Sequence, residues 1–163
     1  MPGAYYLETG AWFKRYQPER GSQLVNELFD GKQRDEVFLT SQFTLVETKA
    51  VASRMLKGRE LRRRQYERLM ARFYHDLGAY NVQVLPVESA LLSDALALYP
   101  EHPLRAPDAL HLVTALHVDR TFAPPSFYIV SGDKDITDAA RAYGIGVIDP
   151  EDAGALAYLR GLR

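Results

Sequence analysis

The chain has 163 residues, 47% hydrophobic and 25% charged, which is enough apolar material for one compact domain and argues against global disorder. Its 20 basic and 21 acidic residues leave a net charge of −1, so any electrostatic attraction to nucleic acid must be local. The lack of cysteine excludes disulfides and thiolate metal sites and fits a cytoplasmic protein. No stretch approaches the roughly 20 apolar residues of a membrane span, and the opening residues lack the basic-then-apolar pattern of a signal peptide.

In chain order, residues 4–7 form a short apolar run that reads as a buried strand, ended by Glu8-Thr9-Gly10. A short helix over 11–16 stops near Pro18. Gly21-Ser22 then introduces a second helix, with Leu24, Val25, Leu28 and Phe29 at helical spacing. Residues 37–39 are another buried strand, and Ser41 is the expected N-cap of a helix running to about Leu56. On that helix Phe43, Glu47, Ala50 and Val51 share one stripe. A glutamate there either reaches water at the stripe's edge or needs a partner, because unpaired burial is expensive.

Gly58 precedes an amphipathic helix over 59–77, with Leu61, Tyr66, Leu69, Met70, Phe73 and Leu77 on its apolar face. From Arg54 to Arg72 eight basic residues face two acids, Glu60 and Glu67. Within this run Arg64, Arg68 and Arg72 form an i, i+4 row. This is either a solvated face or a contact for a phosphate backbone. Residues 82–85 are a third strand, 88–99 a helix, and 100–107 a Pro-rich link. Residues 105–117 then open a helix with Pro107 in its first turn, apolar on nearly every side and therefore expected to be buried.

A turn at 123–126, a strand at 127–130, a helix over 136–143, a strand at 146–150 and a helix over 151–159 complete the chain. There is no internal repeat or linker. Strands alternating with helices predict one α/β domain spanning 1–163, built on a mostly parallel sheet.

In open parallel sheets, ligands bind beyond the carboxyl ends of the strands. Glu8 follows the first strand and Asp133 follows the strand at 127–130. Glu47 lies about two turns into a helix that leaves a strand end, and Asp108 lies in the first turn of the buried helix. Asp108 alone is explained equally by the helix dipole, worth about 1 kcal/mol or less, or by metal binding. Four carboxylates converging on one cleft repel unless a cation compensates. Hard oxygen ligands without cysteine favour Mg²⁺ or Mn²⁺, and such clusters suit phosphodiester hydrolysis by a metal-activated water.

These segments resemble the PIN-domain family, particularly VapC-like toxins of toxin–antitoxin pairs. The resemblance rests on Tyr-Tyr-Leu-Glu-Thr at 5–9, Thr-Ser-Gln-Phe-Thr-Leu-Val-Glu at 40–47, Leu-Arg-Ala-Pro-Asp-Ala-Leu-His-Leu at 104–112 and Val-Ser-Gly-Asp-Lys-Asp at 130–135, and covers nearly the whole chain. It implies a three-layer αβα sandwich and a metal-dependent endoribonuclease with Glu8, Glu47, Asp108 and Asp133 as acidic residues. It also implies an RNA substrate, dimerisation and control by a small antitoxin. The chain departs from the family at its first motif, where Glu8 replaces an aspartate and Gly10 a frequent serine. The alternative reading is therefore a weakly active or inactive PIN-fold protein that binds RNA or a partner.

Thr9 and Ser131 are candidate donors to the metal-binding carboxylates. Asp135 is either a fifth acid or, preferably, the N-cap of the following helix. Arg105 either grips a substrate phosphate or forms a surface ion pair, and Lys134 is a further candidate for phosphate. His111, at i+3 from Asp108, reads as a hydrogen-bonded structural histidine in preference to a ligand or general base. A third functional class, phosphate chemistry on small molecules, lacks support because neither G-x-x-x-x-G-K-[ST] nor G-x-G-x-x-G is present.

Overall fold

The computed structural model describes residues 3–124 and 126–163. The strands are β1 (Ala4–Leu7), β2 (Val37–Ser41), β3 (Gln83–Leu85), β4 (Phe127–Val130) and β5 (Gly146–Ile148). They form a parallel sheet in the order β3-β2-β1-β4-β5. The helices are α1 (Thr9–Phe13), α2 (Ser22–Asp30), α3 (Gln42–Lys57), α4 (Arg63–Ala79), α5 (Ser89–Ala97), α6 (Ala106–Phe122), α7 (Lys134–Ala142) and α8 (Ala155–Leu162).

Strand alternation sorts the core into two layers. Tyr5, Leu7, Phe38, Val130 and Ile148 face one side, where they pack with Trp12 of α1 and with residues of α2, α3, α4 and α8. Ala4, Tyr6, Leu39 and Ile129 face the other, against α5, α6 and α7. Helices therefore cover both faces, giving the expected αβα sandwich. Because β1 and β4 are buried on both sides, they read as continuous apolar runs. The apolar surround of α6 has the same cause: nine of its residues, from Asp108 to Val118, are buried.

Side-chain caps move several helix starts away from the expected bounds. α1 begins at Thr9, not Ala11, because the Glu8 carboxylate accepts from the Gly10 and Ala11 amides. α7 begins at Lys134 because Asp133 is its cap, accepting from the amides of Asp135 and Ile136; the expected cap role of Asp135 is thus corrected. α4 begins at Arg63, since Arg59 adopts the left-handed φ of 62° and interrupts the helix there. α8 begins at Ala155, after Asp149 and Asp152 have each accepted a backbone amide two residues on. On α3 the buried positions are Thr44, Thr48 and Ala52, one step round from the expected stripe, so Glu47 is only half-buried. Pro125 of the expected 123–126 turn lies outside the described residues; Ala123 before it has a φ of 39°.

The register places the site. Leu7 pairs with Val130, so Glu8 and Ser131 leave the sheet side by side. β2 and β4 flank β1 on opposite sides, which makes this carboxyl edge the point where the chain's crossovers reverse direction. A buried ion pair ties the turn after α1 to α4: Asp76 accepts from Arg15 Nε at 2.7 Å and from the Tyr16 hydroxyl at 2.9 Å. Arg15 also lies over the Phe29 ring, 4.8 Å from its centroid. Asp76→Ala removes the buried acceptor of Arg15 Nε and of the Tyr16 hydroxyl, leaving Arg15 with the exposed Asp30 as its counter-charge at 3.0 Å. Unfolding in urea should show a loss of about 1–3 kcal/mol, and no measurable loss would contradict this account.

Candidate active site

The acids come from four elements that meet at the carboxyl edge of the sheet. Glu8, 8% exposed, caps α1: its Oε1 accepts from the Gly10 amide at 2.7 Å and its Oε2 from the Ala11 amide at 3.1 Å. Ser131 Oγ lies 3.3 Å from Oε2 and donates to it, while accepting from the Asp133 amide at 3.1 Å. One hydroxyl thus connects the ends of β1 and β4.

Gly10 explains how the longer first acid fits. A Cβ at this position would lie 3.1 Å from Glu8 Oε2 and 3.4 Å from Oε1. The missing side chain makes room for the extra methylene of Glu8, so the two departures in the first motif are geometrically coupled.

Glu47 reaches over the strand ends from α3. Its Oε2 accepts from Thr9 Oγ1 at 2.6 Å and lies 2.8 Å from His111 Nε2 on α6. His111 is 0% exposed, and its Nδ1 is 2.9 Å from the Tyr6 hydroxyl on β1. Ligand atoms of Glu8, Glu47 and His111 all lie within 4.8 Å of one another. Asp108, 5% exposed, accepts from Arg105 Nε at 2.8 Å. The same guanidinium reaches Asp133 Oδ2 at 3.2 Å, while Asp133 Oδ1 caps α7. Arg105 therefore forms an intramolecular ion pair that bridges two of the acids. Its side chain is 76% exposed, so it can swing into solvent at little cost.

The electrostatics divide the acids. Burial pushes the Glu8 carboxyl up from its ordinary range; His111 and the two amides oppose the shift, and the Glu47 charge adds to it. Burial also raises Asp108, outweighing the Arg105 contact, with Asp133 contributing in the same direction. Burial pushes Glu47 up as well, but hydrogen bonds from His111 and Thr9 prevail and hold it below its usual range. Burial drives the Tyr6 hydroxyl well above its ordinary value, so it remains protonated.

Other candidates lie away from this group. Lys134 pairs with Asp138 along α7. Asp135 is exposed and lends only its backbone amide to Asp133. Arg64 and Arg68 are exposed on α4, where Arg68 Nε donates to the Arg64 carbonyl; Arg72 lies 5.5 Å from the Tyr16 ring centroid. Among the described residues, none of the three arginines bonds to the carboxylates. Tyr6 was not a site candidate on sequence, where it reads as core. Its contact with His111 spans 105 positions and has no local signature.

The arrangement suits a hard divalent cation. Glu8 is a buried carboxylate whose described hydrogen-bond donors are all uncharged, and a second acid lies beside it. The adjacent pair Asp108 and Asp133 shares one detachable arginine. An oxygen-rich donor set of this kind fits Mg²⁺ or Mn²⁺.

Several solved structures share the fold, among them the following three. A toxin–antitoxin complex from Klebsiella pneumoniae aligns with a TM-score of 0.57 at 15% identity, covering 90% of this chain and 97% of that one. FitAB bound to a DNA fragment gives 0.61 at 14% identity, with 91% and 96% covered. VapBC-1 from nontypeable Haemophilus influenzae gives 0.58 at 13% identity, with 91% and 99% covered. No curated protein matches the sequence. The PIN domain profile matches residues 5–142, which include all four acids and His111. The chain belongs to the PIN-domain family.

Proposed function

We propose that this protein is a metal-dependent endoribonuclease and acts in the cytoplasm as the toxin of a toxin–antitoxin pair. The reading is carried by the clustering of buried and half-buried carboxylates at the crossover point of the sheet, with an exposed arginine as their most accessible counter-charge. Glu8, Glu47, Asp108 and Asp133 would hold Mg²⁺ or Mn²⁺, with Asp135 at the rim. The bound metal would supply a water acidic enough to act as nucleophile and stabilise charge on the phosphate.

Within the chain, Thr9 and Ser131 orient Glu47 and Glu8, and the apolar body of α6 keeps Asp108 from turning to solvent. Arg105 would exchange its carboxylates for a substrate phosphate when the metal binds. Lys134 and the α4 row of Arg64, Arg68 and Arg72 would follow the RNA backbone further out. The toxin–antitoxin complexes among the structural neighbours support a small antitoxin as partner and motivate a test for dimerisation. The second reading, a binding protein without activity, is motivated by Glu8. Its extra methylene draws the carboxylate back onto the α1 amides.

Purified protein should cleave a structured RNA with Mg²⁺ or Mn²⁺ and stop on chelation. Asp108→Asn removes a charge worth several kcal/mol to the transition state, so cleavage should fall on the order of a thousandfold. Undiminished cleavage by Asp108→Asn would contradict the mechanism, and calorimetry showing no Mn²⁺ uptake by the wild type would favour the binding-only reading.

Glu8 and Asp108 have folded-state pKa values raised above the unfolded ones. Their contribution to stability is therefore complete below the unfolded carboxylate range, near pH 4, and declines as pH rises through the raised values. Metal binding requires the ionised forms, so affinity should weaken as pH falls through the same interval, with proton release on binding. Glu8→Gln should abolish stabilisation by Mg²⁺ and lower the melting temperature of metal-free protein at pH 7, because its NH₂ group faces an amide donor that a carboxylate oxygen satisfies. Mg²⁺ stabilisation retained in a folded Glu8→Gln protein would argue against Glu8 as a ligand.

Gly10→Ser should weaken stability and metal affinity in the presence of Glu8, yet be tolerated beside Glu8→Asp. The two changes should couple by about 1 kcal/mol or more in a double-mutant cycle. Additive effects would show that the glycine does not accommodate the glutamate.

A further inference from the structure

The hydrogen-bond chain from Tyr6 through His111 to Glu47 lies beneath the carboxylates and spans both layers of the sandwich. Tyr6 is on the central strand, His111 on α6 and Glu47 on α3. The tyrosine and histidine are completely buried, and each contact in the chain is 2.9 Å or shorter.

The chemistry of the donors fixes the direction of the chain. A carboxylate oxygen only accepts, so the 2.8 Å contact requires a proton on His111 Nε2. In the neutral ring Nδ1 is then an acceptor, and the Tyr6 hydroxyl donates to it at 2.9 Å. The carboxylate thereby selects the tautomer, and the tyrosine supports it by donating to Nδ1. Thr9 Oγ1 donates to the same Glu47 oxygen at 2.6 Å. Oε2 thus takes both donors, whereas no donor among the described residues occupies Oε1.

We propose that His111 is a positioning residue: the hydrogen bond from the Tyr6 hydroxyl to Nδ1 fixes the orientation of its Nε2–H ring, and the ring with Thr9 pins Glu47 Oε2 so that Oε1 is presented to a divalent cation. The inference rests on the metal-centre reading above. It assigns His111 to orientation and not to metal ligation, although its Nε2 lies within the same group of potential ligand atoms. The device suits an acid on α3 that is only half-buried. A glutamate side chain has three freely rotating bonds, and without fixed donors Glu47 could turn to water. Hydrogen-bonded partners of metal-binding carboxylates commonly change affinity by about 10- to 100-fold when removed.

The test combines imidazole ¹⁵N spectroscopy with Mg²⁺ titration calorimetry on the full chain. In metal-free wild type, His111 should show protonated Nε2 and unprotonated Nδ1, and saturating Mg²⁺ should leave both unchanged. His111→Leu should weaken Mg²⁺ binding by about 10- to 100-fold. His111→Gln, whose amide can donate from the place of Nε2, should recover most of that loss. Tyr6→Phe should leave Nε2 protonated, shift the Nδ1 resonance through loss of its donor, and give intermediate affinity.

An Nδ1–H tautomer in the wild type overturns the inference, as does loss of the Nε2 proton on adding Mg²⁺, which would make His111 a ligand. Wild-type affinity in a folded His111→Leu protein overturns it equally. If His111→Leu does not fold, the wild-type spectra and Tyr6→Phe decide. Absence of Mg²⁺ binding by wild type overturns the metal-centre reading and the purpose of pinning Glu47. That failure is distinguishable because the tautomer is read before any metal is added.

Discussion

Charge does not enter a protein interior without compensation, and the carboxyl edge of this sheet is organised around that constraint. Glu8 and Asp108 are nearly inaccessible to water, and Glu47 and Asp133 lie close to them. Each acid meets the constraint differently. Glu8 draws on two backbone amides and a serine hydroxyl, Glu47 on a threonine and a histidine, and Asp108 and Asp133 on a shared guanidinium. Only the last of these counter-charges is mostly exposed. The cleft is therefore hydrogen-bonded in its interior and exchangeable at its mouth.

Rigidity comes from the layers on either side. α6 is apolar all round because it is enclosed by α5, α7 and the sheet, and this enclosure fixes the directions of Asp108 and His111 one turn apart. The opposite layer holds α1 against α2 and α4 through the Trp12–Phe29 and Trp12–Phe73 ring contacts, and α3 packs against α1. Thr9 and Glu47 meet because those two helices are packed together. Carboxylate placement is thus a consequence of core packing, and Gly10 shows how local that dependence is: one Cβ there would crowd both oxygens of Glu8.

Most of the architecture was legible in the residues. Short apolar runs marked the strands because parallel strands between two helical layers are buried on both faces. Gly, Pro and Ser punctuation separated the helices, and the order of acids at strand ends pointed to one edge. Helix starts were less legible. Side chains at Glu8 and Asp133 cap backward from positions that also read as loop or ligand, so α1 and α7 begin earlier than periodicity suggested, and the capping role moved from Asp135 to Asp133. The α3 stripe was displaced by one step because small threonines, not Phe43 or Val51, face the sheet.

The sequence alone pointed to an α/β domain on a mostly parallel sheet and to the candidacy of Glu8, Glu47, Asp108 and Asp133, because periodicity and strand-end position are local properties of the chain; the three layers were implied by the family resemblance. Tertiary structure decided which groups meet each acid. Arg105 bridges Asp108 to Asp133, Ser131 joins Glu8 to the start of α7, and Tyr6 reaches Glu47 through His111. Most of these contacts cross between elements far apart in the chain, and their geometry depends on sheet register and helix packing, which no local pattern encodes.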